Sequence, residues 1–336
     1  MITRAGVFIF ILLANVSLYA FGEIAIDAED VRAEAIKFMR SVGWDKKLAA
    51  GVKVSADEAG VIEITDEGVF IVQYMIVGPT ACADAKIDVD SNVKIRRSVN
   101  KAVVVTHGWL DKSAGDWPYD TAEAITGRVD PNEWVCVFFD WRGGAAVINP
   151  VDAAKYARDI AGPRLAGAVK KLGVKFDHVH LIGHSAGSWA VNSAAKILAR
   201  DLPAAVHITF LDAYVPPKWD EKKLGDIKGN PGSWTEHYYT KDITLKVTQM
   251  DLSNAYNVDI TAIDPWVKEH EFPYRWYYAT IAGQYKHWVG ERKEKVIKSF
   301  GGVDYGFDRS KEAAAGNWQK SLTFKKGKRA IRLRKI

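Results

Sequence analysis

Cysteine is scarce in this 336-residue chain. Cys82 and Cys136 allow at most one internal bridge, which excludes a disulfide-stapled scaffold. No internal repeat, low-complexity stretch or linker interrupts the sequence, and 27 Gly and 11 Pro are ordinary globular usage, so a collagen-like or repeat architecture is excluded. Beyond residue 22 no apolar run is long enough to span a bilayer. A general field of one sign is lacking too. Of the formal +5, seven positive charges fall on Lys325, Lys326, Lys328, Arg329, Arg332, Arg334 and Lys335, and one on Arg4, leaving a body of −3. Such a body has no electrostatic footprint for nucleic acid, and no nucleic-acid partner is expected.

What is present starts with an export pattern. Arg4 precedes the apolar stretch from Ala5 to Phe21, which closes on the small-x-small site Ala20-Phe21-Gly22. These are the parts of a secretory signal peptide over residues 1–22. Asn15 and Ser17 interrupt the stretch, and it falls short of the ~18 clean apolar residues a spanning helix wants. Cleavage is therefore expected over retention as a membrane anchor, and the mature chain is expected to be secreted or periplasmic.

The remainder alternates two periodicities. Residues 28–41 repeat apolar positions at helical spacing behind acidic residues. Val69–Val77, Lys101–Thr106, Trp134–Phe139, His178–Ile182 and Ala205–Leu211 are apolar runs rich in β-branched or aromatic residues, and each reads as a strand. Helical stretches are expected at Asp152–Leu172, kinked or divided at Pro163, and at Ser185–Ala199. Apolar strands separated by helices predict an α/β fold with a mostly parallel central sheet and helices on both faces. One domain is expected over residues 23–324, followed by a basic tail at 325–336.

Gly183-His184-Ser185-Ala186-Gly187 fits G-x-S-x-G, and its context gives it weight. It follows the strand run HVHLI and opens the helical run SWAVNSAAKIL. A nucleophilic serine in a sharp strand-to-helix turn needs this setting, with glycines where neighbouring elements pack too closely for Cβ atoms. Ser185 is thus the candidate nucleophile. Oxyanion donors are expected from the backbone N–H of Ala186 and from Trp109, in the loop Thr106-His107-Gly108-Trp109-Leu110 after an earlier strand. The acid should end the next strand, which points to Asp212 after Ile208–Leu211. Three histidines follow, His237, His270 and His287, and periodicity does not choose among them. His178, His180 and His207 lie in or beside strands and read as structural. His178-x-His180 has no acidic or Cys partner placed for it, so no metal and no cofactor are expected.

Five blocks carry a resemblance. KAVVVTHGWLDK at 101–112, EWVCVFFDWRGGA at 133–145 with its Asp140-Trp141-Arg142-Gly143-Gly144 run, HVHLIGHSAG at 178–187 and ITFLDA at 208–213 resemble pancreatic-lipase-like α/β-hydrolases, the lipases and phospholipases A1. His270–Ile281 (HEFPYRWYYATI) is similar to the block that bears that family's histidine, and on this resemblance His270 is the base. The likeness covers about residues 60–300. It implies an α/β-hydrolase fold and a Ser185–Asp212–His270 triad that cleaves carboxylic esters of lipids or small molecules. Trp141 and Trp276 are candidates to line an acyl pocket, with a core position as the alternative. Two expectations of the family are missing. No cysteine brackets a lid between Asp212 and His270, and no acidic calcium loop is legible in Tyr214–Lys228. A counterpart of the vertebrate members' carboxy-terminal lipid-binding domain is not expected either. Other readings are a lipase-fold binding protein without turnover, and an acyltransferase or thioesterase built on the same triad. The basic tail is expected to be either a terminus partly pinned as an edge strand or a peripheral contact with an anionic membrane.

Overall fold

The apolar runs build a ten-stranded sheet whose alternating side chains feed two cores. The structure, a computed structural model, describes residues 51–66, 86–110, 117–145, 149–227, 230, 232–241, 247–264, 269–288, 294–298, 305–314, 327 and 330–332. The export pattern, the helix expected at 28–41, the strand expected at Val69–Val77, Cys82 and most of the basic tail lie outside the described residues.

The strands are β1 (Val52–Ala56), β2 (Val61–Asp66), β3 (Ile87–Val89), β4 (Lys101–Thr106), β5 (Trp134–Asp140), β6 (His178–His184), β7 (Ala205–Leu211), β8 (Trp234–Tyr239), β9 (Tyr256–Asp259) and β12 (Ala330–Arg332). Their spatial order is β12-β9-β8-β7-β6-β4-β5-β2-β1-β3. Every neighbouring pair is parallel except β1 with β2. A separate antiparallel hairpin joins β10 (Gln284–Trp288) to β11 (Glu294–Lys298). The helices are α1 (Trp117–Thr126), α2 (Arg142–Ala145), α3 (Pro150–Tyr156), α4 (Gly162–Lys171), α5 (Gly187–Asp201), α6 (Phe272–Ala282) and α7 (Phe307–Ala314).

Because strand side chains alternate, each central strand packs both ways. Val104, Val137, Leu181 and Ile208 join the core under α3, α4 and α5. Val103, Val105, Phe138 and Ile182 join the core under α1 and α6. Both faces being covered explains why these strands read as continuous apolar runs. This is the expected doubly covered, mostly parallel sheet. Cys136 is a free thiol buried on β5, and burial pushes its pKa up to about 12.

Two helix expectations change in detail. Residues 150–171 are not one kinked helix. A five-residue π-helical segment, Ala157–Ala161, joins α3 to α4, and Pro163, which has no N–H to donate, stands in the first turn of α4 directly after it. The helix after the nucleophile begins at Gly187 rather than Ser185, because Ser185 is left-handed.

The chain moves outward in one direction from β4 to β5 and in the other from β6 to β7, so the order reverses between β4 and β6. In open parallel sheets that reversal leaves a crevice outside the carboxyl ends of the strands. The loops after β4, β6 and β7 all open there.

Candidate active site

Ser185 lies at the end of β6 with φ of 53°, a left-handed conformation unfavourable for a serine and held here by its surroundings. Its N–H donates to the Leu211 carbonyl at 3.0 Å, and its own carbonyl accepts from Ser188 at 3.1 Å and Tyr214 at 3.2 Å. Two glycines let the β4 loop close onto this turn. A Cβ on Gly187 would stand 2.1 Å from the His107 carbonyl oxygen, and one on Gly108 would stand 2.8 Å from the Ser185 Cβ.

The acid and the base meet at the serine. His270, on the 3-10 turn Glu269–Glu271 ahead of α6, has Nε2 2.9 Å from Ser185 Oγ and Nδ1 2.7 Å from Asp212 Oδ2. A carboxylate accepts, so Nδ1 carries the ring proton and Nε2 is left to accept from the serine hydroxyl. Asp212 follows β7 with φ of 48° and is fully buried. Burial raises its pKa, while His270, the Thr240 N–H at 3.0 Å and Thr248 pull the other way by hydrogen bonding to the ionised form. The His270 side chain is 33% exposed whereas that of Asp212 is 0%, so the relay runs from an accessible base to a sealed acid.

The other expected residues separate cleanly. His237 is buried on β8. Its Nε2 accepts from the Ala213 N–H at 3.2 Å and its Nδ1 faces Asn257 Oδ1 at 3.3 Å, so both nitrogens are engaged. His287 lies on the β10 hairpin. Ala186 follows Ser185 and heads α5, while Trp109 stands next to Gly108 in the loop that meets the serine. Trp141 and Trp276 are both buried in the cores, the alternative the sequence left open beside an acyl-pocket wall. Trp276 packs against Tyr238 at 5.2 Å beneath the sheet face.

Trp141 instead braces the loop after β4. Its ring is fully buried and stacks on His107 at 5.1 Å and 7°. Its Nε1–H donates to the His107 carbonyl at 3.1 Å, and its backbone N–H donates to His107 Nε2 at 3.0 Å. His107 Nδ1–H then donates to the Gly108 carbonyl at 2.9 Å. Beside them Asp140 accepts from the Arg142 N–H and Nε, both at 2.9 Å, and from Nη2 at 2.6 Å. Burial alone would raise the Asp140 pKa, but His107, 3.3 Å away, and the Arg142 donors hold it well below the usual carboxylate range. In the sequence the motifs HGW and DWR lie 33 residues apart, each at a strand end, and nothing in that spacing signals the brace.

A second histidine–carboxylate cluster lies further back on the sheet, and here too the sequence reading is corrected. His180 does gain an acidic neighbour, Glu236 from β8, along with His207. Their donor atoms lie within 4.8 Å of one another, the one such group among the described residues. Strand register put Glu236 there, which residue spacing along the chain could not reveal. His180 Nε2 donates to Thr209 Oγ1 at 2.8 Å, and Thr209 donates to Glu236 at 2.8 Å. Ser310 from α7 donates to the same carboxylate at 2.9 Å, and Arg309 lies 3.5 Å from its other oxygen. Burial would raise the Glu236 pKa, yet His207, Arg309 and Thr209 hold it at about 2. The two imidazoles stack at 3.8 Å and 5°, so their lone pairs do not converge, and His180 Nε2 already holds a proton. The arrangement does not fit a bound metal.

The fold is that of an α/β-hydrolase: a mostly parallel sheet covered on both faces, and a left-handed serine stands between strand and helix at the order reversal. The Lipase family model matches residues 76–224, a stretch that includes Ser185 and Asp212. Pancreatic triacylglycerol lipase of Mus musculus is 33% identical over 138 residues, covering 40% of this chain and 27% of that protein. Pancreatic lipase-related protein 2 of Sus scrofa is 31% identical over 112 residues, 32% of this chain and 22% of its own. The guinea-pig (Cavia porcellus) pancreatic triacylglycerol lipase is 31% identical over 138 residues, with the same 40% and 27% shares as the mouse protein. Over this stretch the chain is similar to the pancreatic lipases, and the match spans about a quarter of the length of these relatives.

Proposed function

We propose that this chain is a serine hydrolase that cleaves carboxylic esters of lipids, as a lipase, phospholipase A1 or broader carboxylesterase. The observation that carries the reading is the unbroken relay from Ser185 Oγ through the His270 imidazole to Asp212, at 2.9 and 2.7 Å. In this reading Ser185 attacks the ester carbonyl as His270 takes its proton, and the backbone N–H groups of Ala186 and Trp109 hold the developing oxyanion. His270 returns the proton to the leaving alcohol, and water then releases the acyl group from Ser185 by the same path in reverse. Asp212 keeps the proton on Nδ1 and stabilises the imidazolium. Export through residues 1–22 would deliver the enzyme outside the cytoplasm. Among the described residues no helix is long and apolar enough to cross a membrane. The basic tail, of which Ala330–Arg332 pairs with β9, would add attraction to anionic lipid surfaces.

A fluorophosphonate probe followed by intact-mass measurement tests the reading. One adduct, on Ser185, is expected. An unlabelled protein would instead point to a lipase-fold binding protein. Labelling without ester hydrolysis would shift the reading to acyl transfer or thioester cleavage.

A further inference from the structure

His184, the last residue of β6 and the one before the nucleophile, has a side chain that the relay does not use. Its ring is buried, edge-on to Trp117 at 5.9 Å and to Tyr274 at 4.9 Å, and Trp117 stacks on Tyr274 at 4.4 Å. Nε2 lies 2.8 Å from the backbone carbonyl oxygen of His270. A carbonyl only accepts, so Nε2 carries the proton and donates. The ring centroids of His184 and His270 are 4.7 Å apart. Burial, and next to it the field of His270, keeps the His184 pKa well below its ordinary value, so the ring stays neutral beside a protonated His270. On its far side His184 supports the β4 loop: its carbonyl oxygen and Nδ1 stand 3.1 and 3.2 Å from where a Gly108 Cβ would be.

These contacts close a ring of connections. His184 and Ser185 share a peptide bond, His184 binds the backbone of His270, and the His270 imidazole returns to Ser185. We propose that His184 is a positioning residue for the general base, tying the turn that carries His270 to the strand that carries the nucleophile. The proposal rests on the reading of Ser185, His270 and Asp212 as a working relay. Asp212 fixes the imidazole at one point and the His184 bond fixes its backbone at a second. Two fixed points determine where Nε2 faces. With one removed, the base is displaced relative to Ser185, and misplacement by about 1 Å costs on the order of 10²-fold in rate. Ester binding does not involve this bond, so the loss belongs in kcat and not in KM.

The test uses the full chain and p-nitrophenyl butyrate, with the rate of fluorophosphonate labelling at Ser185 and a thermal melt for each variant. His184→Leu keeps bulk but removes the donor. His184→Gln places an amide nitrogen at about the reach of imidazole Nε2, and His184→Asn falls short of it. The expectation is a kcat for His184→Leu lower by roughly 10–100-fold with KM within about twofold, substantially restored in His184→Gln. Should His184→Leu not fold, the Gln and Asn variants carry the same contrast, with Gln active and Asn impaired. Wild-type kcat in the Leu variant, or equal losses in Gln and Asn at equal melting temperatures, overturns the proposal while leaving the relay standing. A wild-type protein that the probe does not label at Ser185 overturns the relay, and the proposal with it.

Discussion

Two histidine–carboxylate clusters share one sheet, and in the proposed function only one of them does chemistry. At the carboxyl edge, His270 joins Asp212 to a strained Ser185 and keeps a third of its side chain exposed. On the strand interiors, His180, His207 and Glu236 lie three to five residues earlier on β6 and β7 or on neighbouring β8, roughly 10–17 Å away along the strands. Both clusters have an acid, an imidazole and a hydroxyl. In the interior one the hydroxyl is Thr209, its proton goes to Glu236, and Arg309 balances the charge. The hydroxyl proton is committed to the carboxylate, which Ser310 and Arg309 also face. At the edge, the serine proton points to a base whose own proton is anchored elsewhere, so one acceptor is left to do work. Residue type does not separate the two clusters; direction of the hydrogen bonds and access do.

Substitutions should separate them as sharply. Ser185→Ala should lower ester turnover on the order of 10⁶-fold with an unchanged melting temperature, and Asp212→Asn should lower it by about 10⁴. Steady-state kinetics beside a thermal melt checks both. Gly108→Val forces the loop off the serine and should cost roughly 10²–10³ in kcat if one oxyanion donor is displaced. In the interior cluster the readout reverses. Glu236→Gln leaves Arg309 without its carboxylate and should destabilise by about 3–5 kcal/mol in urea titration, while turnover per folded molecule stays near wild type.

Acid should act on stability through the buried histidines. Burial lowers the pKa of His178 and His237 to about 3 and those of His180 and His184 well below the ordinary value. These rings are neutral when folded, whereas in the unfolded chain they protonate below about pH 6.5. The unfolded state therefore binds more protons, and stability falls as pH drops below 6.5, by up to about 1.4 kcal/mol per pH unit for each ring. Asp66 and Asp212, whose pKa values burial raises, work in the opposite direction, two groups against four. Urea midpoints should fall between pH 7 and pH 5. A midpoint that rises would mean the histidines are not held neutral.

Much of this arrangement was legible in the residues. The runs at Lys101–Thr106 and Ala205–Leu211 are strands with those same ends, because a strand buried on both faces is marked by an uninterrupted apolar run. Ser185 and Asp212 could be assigned because each ends such a run. His270 could not be chosen from periodicity. It sits on a 3-10 turn with no pattern of its own, and only the likeness of its block to a family singled it out. The interior cluster and the loop brace stayed hidden for a common reason: Glu236, Asp140 and His107 find their partners across neighbouring strands, Arg309 reaches Glu236 from α7, and sequence spacing carries no record of either. For Trp141 the sequence left two readings open, because a large aromatic near a site reads equally as pocket wall or buried brace.

The central claim is that the edge cluster works as a relay while the interior cluster only holds the fold. Its most direct measurement is the rate at which a fluorophosphonate labels Ser185 in the wild type, His270→Ala and Glu236→Gln, followed by intact mass. The account predicts rapid single labelling of the wild type, near-equal labelling of folded Glu236→Gln, and labelling slowed by several orders of magnitude in His270→Ala. Labelling of His270→Ala at the wild-type rate, or none in the wild type, would contradict it.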